Sequence, residues 1–283
     1  MRIREWMFVL VAASALAAQG PPAPQRVAVV YREEVPTEGT LDLLLGRWFP
    51  GDQLRVVRPG VDRLPGRTPV VVLAGATAAA AARKAWPTCP VVFVAMEPAP
   101  PPAGVASVVF AFVDAPAVLA GRRALIPGVK RLGVVASRPG VALRYADVAD
   151  TVLEVVAGAR SPDSILQSLG GVDAVLIPDD PELTAMAERL VASARARRLP
   201  VVTTSPWLAR SGAAVGIVPD LESVAWSIAR AVKRARVLGG AAPPPRPPSV
   251  RRTVDLGFWH AVGRSMPASR LALADEILRK LGR

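Results

Sequence analysis

The chain has 283 residues, 51% of them hydrophobic, with 35 lysines and arginines against 23 acidic residues, which gives a net charge of +12 at pH 7. That length supports two lobes with a core each, and a lone cysteine, Cys89, excludes an internal disulfide. One histidine and one cysteine leave no His/Cys metal cluster and no convincing histidine-based nucleophilic triad.

The chain begins with Arg2 and Arg4, an apolar stretch over residues 6–18, and small residues (ALAA) at 15–18. This pattern reads as a cleaved export signal over residues 1–18. It is short for a spanning helix, which needs ~20 apolar residues; an uncleaved anchor is the competing reading. Cys89 is remote from the cleavage point, so no lipid anchor is expected. Residues 19–25 form a Pro-rich, flexible lead-in. No later run has spanning length, so the mature part is expected not to cross a membrane.

A first lobe is expected over residues 26–126. Short Val-rich runs at 26–31 (RVAVVY), 69–74 (PVVVLA) and 90–95 (PVVFVA) lack polar alternation, as parallel strands buried on both faces do. Residues 53–58 are a weaker strand. Helices are predicted at 40–48 and, Ala-rich and stopping before Pro87, at 77–86. Residues 59–69 hold three prolines and two glycines, so the helix that normally links parallel neighbours is expected to be missing or vestigial there.

A second lobe is expected over residues 127–238. Its strands are predicted at 131–136 (RLGVVA), 151–156, 172–178 (VDAVLIP), 200–204 (PVVTT) and 213–219 (AAVGIVP). Its helices are predicted at 141–150, 161–169, 181–198 and 221–238, the last two amphipathic. Residues 239–249 (GGAAPPPRPPS) are a linker of polyproline II character. It reads as a stiff strap, with a ligand for a Pro-rich-motif reader as the alternative. Residues 250–283 add a strand at 250–256 and helices at 257–262 and 267–281, expected to pack back across the lobes. The pattern predicts an α/β fold of two Rossmann-like lobes with parallel sheets and a ligand cleft between them.

The positive charge is not read as a nucleic-acid footprint. Lysine occurs only at positions 84, 130, 233 and 280. The basic clusters at 195–198 and 233–236 end predicted helices, where cations complement the helix dipole. The few aromatics do not interleave with them as on a stacking platform.

The tail 254–278 (VDLGFWHAVGRSMPASRLALADEIL) resembles the closing segment of the ABC-transporter substrate-binding family that includes the tryptophan/tyrosine-type binding proteins. The matching residues are Met266, Pro267, Ser269, Leu271, Ala274, Asp275, Glu276 and Ile277. Residues 75–96 are similar to the family's Gly-Thr-helix-Pro-Val-Val-Phe unit, and residues 125–137 (LIPGVKRLGVVAS) to its inter-lobe join. The resemblance implies the type I periplasmic-binding architecture, closing on a small solute that is passed to an ABC permease, without a cofactor or metal.

Candidate ligand contacts lie at the ends of predicted strands. Gly75, Ala76 and Thr77 open a helix whose N–H groups suit a carboxylate. Asp180, with Asp220 second, suits an α-amino group. Thr204 and Ser205 offer hydrogen bonds. Tyr31 and Met96 can pack on a solute, Glu97 adds a charge, and Ser137 ends the join segment. Turns and helix caps favour the same residue types at these positions.

The leading function is an exported solute-binding protein, its solute possibly amino-acid-like. The alternative is a repurposed or degenerate binding fold acting as a sensor or protein-interaction module without transport, motivated by the shortened crossovers and altered strand-end residues. An enzyme is not expected: His260 lies in the tail, away from the strand ends, and residues around Gly75 match neither a Walker loop nor a dinucleotide fingerprint.

Overall fold

A computed structural model describes residues 27–30, 44–49, 54–96, 100–137, 139–154, 161–180, 183–238 and 248–278. The export signal and lead-in (1–25), most of the Pro-rich linker, Tyr31 and Glu97 lie outside the described residues. The Val-rich runs form a five-stranded parallel sheet in the order β2-β1-β3-β4-β5. Its strands are β1 (Val27–Val30), β2 (Leu54–Val56), β3 (Val70–Val72), β4 (Val91–Ala95) and β5 (Ser107–Phe110).

Side chains alternate across the faces of this sheet. Val27, Val29, Val71, Val92 and Val94 enter one core. Ala28, Val30, Val70, Val72, Val91 and Phe93 enter the other. Helix α1 (Gly75–Ala85) covers the second face with Ala79 and Ala82, followed by Trp86. Both faces are therefore dry, which explains the absence of polar alternation.

The β2–β3 connection carries no helix, as its prolines and glycines predict. Asp62 organises the turn instead, accepting the Arg58 N–H at 2.8 Å and, through its carbonyl, the Trp86 indole N–H at 3.0 Å.

The second sheet has seven strands in the order β12-β11-β10-β9-β8-β6-β7. They are β6 (Leu132–Ala136), β7 (Thr151–Glu154), β8 (Ala174–Ile177), β9 (Val201–Thr203), β10 (Val215–Pro219), β11 (Val250–Asp255) and β12 (Glu276–Leu278). Neighbours are parallel except β10 and β11. One face packs on α2 (Ala115–Leu125) and on Phe258 and Trp259 of α8 (Leu256–Ala261). The other packs on α4 (Pro162–Ser168), α5 (Thr184–Ala196) and Leu208 of α6 (Pro206–Ser211). Helix α3 (Pro139–Arg144) follows β6.

Two helices sit on the opposite lobe from the one their sequence position suggests. Asp114 caps α2 by accepting the Ala117 N–H at 3.0 Å, and Val118 and Leu125 then bury against the second sheet. Helix α7 (Leu221–Leu238) packs Val224, Ile228, Ala231 and Val232 on the first sheet. The boundary expected at residues 126/127 thus follows chain order, whereas each helix follows the apolar sheet face that its own stripe can cover. Strand β5 and helices α2 and α6 lay outside the elements read from the sequence.

The tail also departs from expectation. Of the helix predicted over 267–281, the described residues form the four-residue α9 (Ala268–Leu271), followed by β12. Asp275 redirects the chain: its carboxylate accepts the Arg252 N–H at 2.7 Å, and its own N–H donates to the Arg252 carbonyl at 2.8 Å. This seats Glu276–Leu278 beside β11 in parallel register, Val254 opposite Ile277. The described part of the closing segment, through residue 278, extends the second sheet.

Gly216 is closely packed in this sheet. A Cβ there would lie 2.7 Å from the Ala209 Cβ and closer still to the Thr253 hydroxyl. Gly216→Ala is expected to cost about 1–3 kcal/mol through overpacking. Thermal denaturation should show this as a fall of roughly 2–10 °C in Tm.

Candidate ligand-binding cleft

The chain crosses between the lobes where strands end. It leaves β5 at Phe110 and enters α2 on the second lobe; it leaves β10 at Pro219 and enters α7 on the first. It returns at Val250, which pairs with Pro219. All three crossings lie at the C-terminal edges of the parallel strands, so these edges face the lobe junction. In open α/β sheets this is the edge that receives ligands.

Asp220 sits at one crossing, where its carboxylate accepts the Glu222 N–H at 3.3 Å and pairs with Arg251 at 3.1 Å. It borders a seam cavity of about 140 Å³ between Leu44 of the first lobe and Pro206, Ala209 and Thr253 of the second. On the first-lobe edge, Gly75 takes φ +86° as the chain turns from β3 into α1, and no side chain caps that helix. Gly75 and Ala76 are half-buried and Thr77 is exposed. Met96 follows β4, half-buried against the α7 side of the sheet.

On the second-lobe edge, the structure gathers Ser137, Asp180, Thr204 and Ser205, from the ends of β6, β8 and β9. Asp180 is 3% exposed and accepts both the N–H and the hydroxyl of Ser137, at 2.7–2.8 Å. Thr204 Oγ1 accepts the backbone N–H of Asp179 at 2.9 Å, and Thr203 Oγ1 accepts that of Ser205 at 3.0 Å. A pocket of about 10 Å³, room for roughly one water, lies among Asp179, Asp180, Ser205 and Trp207.

Three groups beyond the predicted set complete this edge. Asp179 is half-buried and its pKa is pushed up to about 6, first by desolvation and then by the Asp180 charge, against the opposing Ser205 hydrogen bond and Arg144 charge. The Arg144 guanidinium lies 5.6 Å from the ring of Phe112, on the β5–α2 crossing, and 5.8 Å from that of Tyr145. Tyr145 is fully buried, donates to the Val113 carbonyl at 3.0 Å, and has its phenol pKa raised by burial. An acid that can ionise near neutrality, a guanidinium and hydroxyls thus meet beside the aromatic crossing. Together they can bind a polar solute carrying both signs of charge.

Among the described residues, no helix is long and apolar enough to cross a membrane.

No family model matches the chain, and no curated protein does. Solved structures share its fold. An ABC domain from Streptococcus pneumoniae in complex with L-Trp aligns at TM-score 0.63 and 14% identity, over 89% of this chain and all of that one. A ligand-free, open substrate binding protein with adhesive properties from Clostridium difficile aligns at TM-score 0.63 and 14% identity, over 90% of this chain and all of that one. A LacI family transcriptional regulator from Silicibacter pomeroyi aligns at TM-score 0.52 and 15% identity, over 79% and 96%. At these identities the likeness shows the fold: two α/β lobes of the type I periplasmic-binding architecture.

Proposed function

We propose that this chain is an extracytoplasmic solute-binding protein that captures an amino-acid-like molecule between its lobes and delivers it to an ABC permease. The observation that carries the reading is the polar second-lobe edge, where Asp179 stays poised to ionise beside Arg144, Thr204 and Ser205. A solute ammonium suits Asp179, and its carboxylate suits the uncapped start of α1 across the junction. Closure of the lobes would bury both and create the face a permease recognises.

The test is a thermal-shift screen of the protein from residue 18 onward against L-amino acids, sugars, nucleosides and short carboxylates. An amino acid at 100 times its Kd is expected to add about 2.7 kcal/mol, a Tm rise of roughly 5–10 °C. A flat response to amino acids overturns the solute class, and a flat response to every class overturns the receptor.

A sensor or protein-interaction module without transport is the second reading. The helix-free β2–β3 crossover favours it, because it leaves Val56 and Val61 63% and 76% exposed at the first sheet's edge. Large exposed apolar patches mark contact surfaces, and these two side chains would contribute to one. Recovery of an envelope or signalling protein in a pull-down, without a permease, would select this reading.

A further inference from the structure

We infer that the pole of the second lobe, opposite the junction, holds a separate binding site for a small amphipathic anion, an aliphatic or aromatic carboxylate. A cavity of about 600 Å³ opens there, against about 140 and 10 Å³ for the pockets at the junction. Its size lies within the range of small-molecule sites. The N-terminal edges of β8 and β9 (Val172 and Pro200) form its floor, and the end of α2 and the loop between α8 and α9 form its walls.

The chemistry of the lining selects the ligand. Ile126, Trp259 and Met266 supply an apolar wall. Trp259 is only 7% exposed, and its indole N–H is buried with no acceptor among the described residues. The charged lining is four arginines, 197, 198, 264 and 270, against one acid, Asp173. Asp173 is already committed, accepting the N–H groups of Lys130 at 3.0 Å and Arg131 at 2.8 Å. Arg197 is held by Asp163, and Arg270 donates to the Ala124 carbonyl at 3.0 Å. Among the described residues, the side chains of Arg198 and Arg264 make no hydrogen bond or ion pair. Two uncommitted guanidiniums above an apolar wall fit a carboxylate with a hydrocarbon body.

The backbone of Arg198 points the same way. Its φ is +56°, a left-handed conformation that glycine or asparagine adopts more easily after a helix. The arginine stands where a better conformational choice exists. The 195–198 cluster therefore does more than complement the dipole of α5, since Arg197 and Arg198 both reach this cavity.

The experiment is isothermal titration of the protein with octanoate and phenylacetate, with octylamine as the oppositely charged control. The carboxylates are expected to bind with 1:1 stoichiometry, and octylamine to give no binding heat. The double variant R198N/R264Q, whose asparagine suits the left-handed position, is expected to keep its Tm and to bind at least tenfold more weakly. Failure of both carboxylates to bind overturns the inference. So does equal binding of octylamine, or undiminished binding to the double variant, which would place the carboxylate elsewhere. The amino-acid screen reads the junction separately, so either site can fail alone.

Discussion

Asp180→Ala is expected to lower stability by about 3 kcal/mol and Tm by roughly 6–12 °C. The carboxylate is almost wholly buried and ties the end of β6 to the end of β8 through the Ser137 N–H and hydroxyl. Alanine would leave both donors without this acceptor, and each unsatisfied buried group costs about 1–3 kcal/mol. Asp180→Asn keeps the shape and one carbonyl, so its loss should be smaller, about 1–2 kcal/mol. Thermal melts of the two variants and of Ser137→Ala check the order. The sequence suggests another role for Asp180, direct contact with a solute ammonium. A variant that melts with the parent yet loses solute affinity would establish that role and refute the clip.

The architecture was legible because buried parallel strands leave a plain signature. Val70, Val71 and Val72 are all fully buried, each facing one of two dry layers, so an unbroken Val run was the correct cue. Helix α7 was equally plain, an amphipathic stripe bounded by Pro219 and the glycines at 239 and 240. Its destination was not legible, because a stripe says that a face is buried and not against which sheet. The tail failed for a related reason. Residues 272–278 (ALADEIL) have helix-favouring composition, but the open edge of β11 and the Asp275–Arg252 contacts outweigh local preference.

Among the candidate contacts, Ser137, Asp180, Thr204 and Ser205 share one edge because the topology fixes which strand ends face the junction. Arg144, Tyr145 and Phe112 escaped. Their association depends on the turn after α3 meeting the β5–α2 crossing, and that crossing lay outside the elements read from sequence. In the sequence, Asp179 is one of two adjacent carboxylates after a strand, a pattern that is commonly just a solvated turn. What separates the pair is their partners: Asp180 is held by the Ser137 N–H and hydroxyl, whereas desolvation and the neighbouring Asp180 charge raise the pKa of Asp179.

That difference makes Asp179 the most informative position for linking stability to function. Its folded-state pKa of about 6 lies above the ordinary value of 3.8, so the folded protein takes up this proton before the unfolded chain does. Above pH 6 the carboxylate is charged in both states and the desolvation penalty is fully present. The penalty is relieved as pH falls from about 6 towards 4, so this residue makes the protein more stable on acidification across that window. At 1.36 kcal/mol per pH unit the penalty is at most about 3 kcal/mol. Asp179→Asn is therefore expected to stabilise the empty protein by about 1–3 kcal/mol at pH 7.5 and to match the parent near pH 4. Denaturant melts at the two pH values read this directly. A solute ammonium interacts with the ionised form, so parent affinity should fall up to tenfold per pH unit below 6, with proton release on binding. The variant should lose that dependence and bind at least tenfold more weakly at pH 7.5. Greater stability with loss of affinity would mean that a half-buried, partly desolvated charge is retained for ligand capture at the expense of the fold. Greater stability with affinity unchanged would remove Asp179 from the binding edge and shift attention to Arg144 and the aromatic crossing beside it.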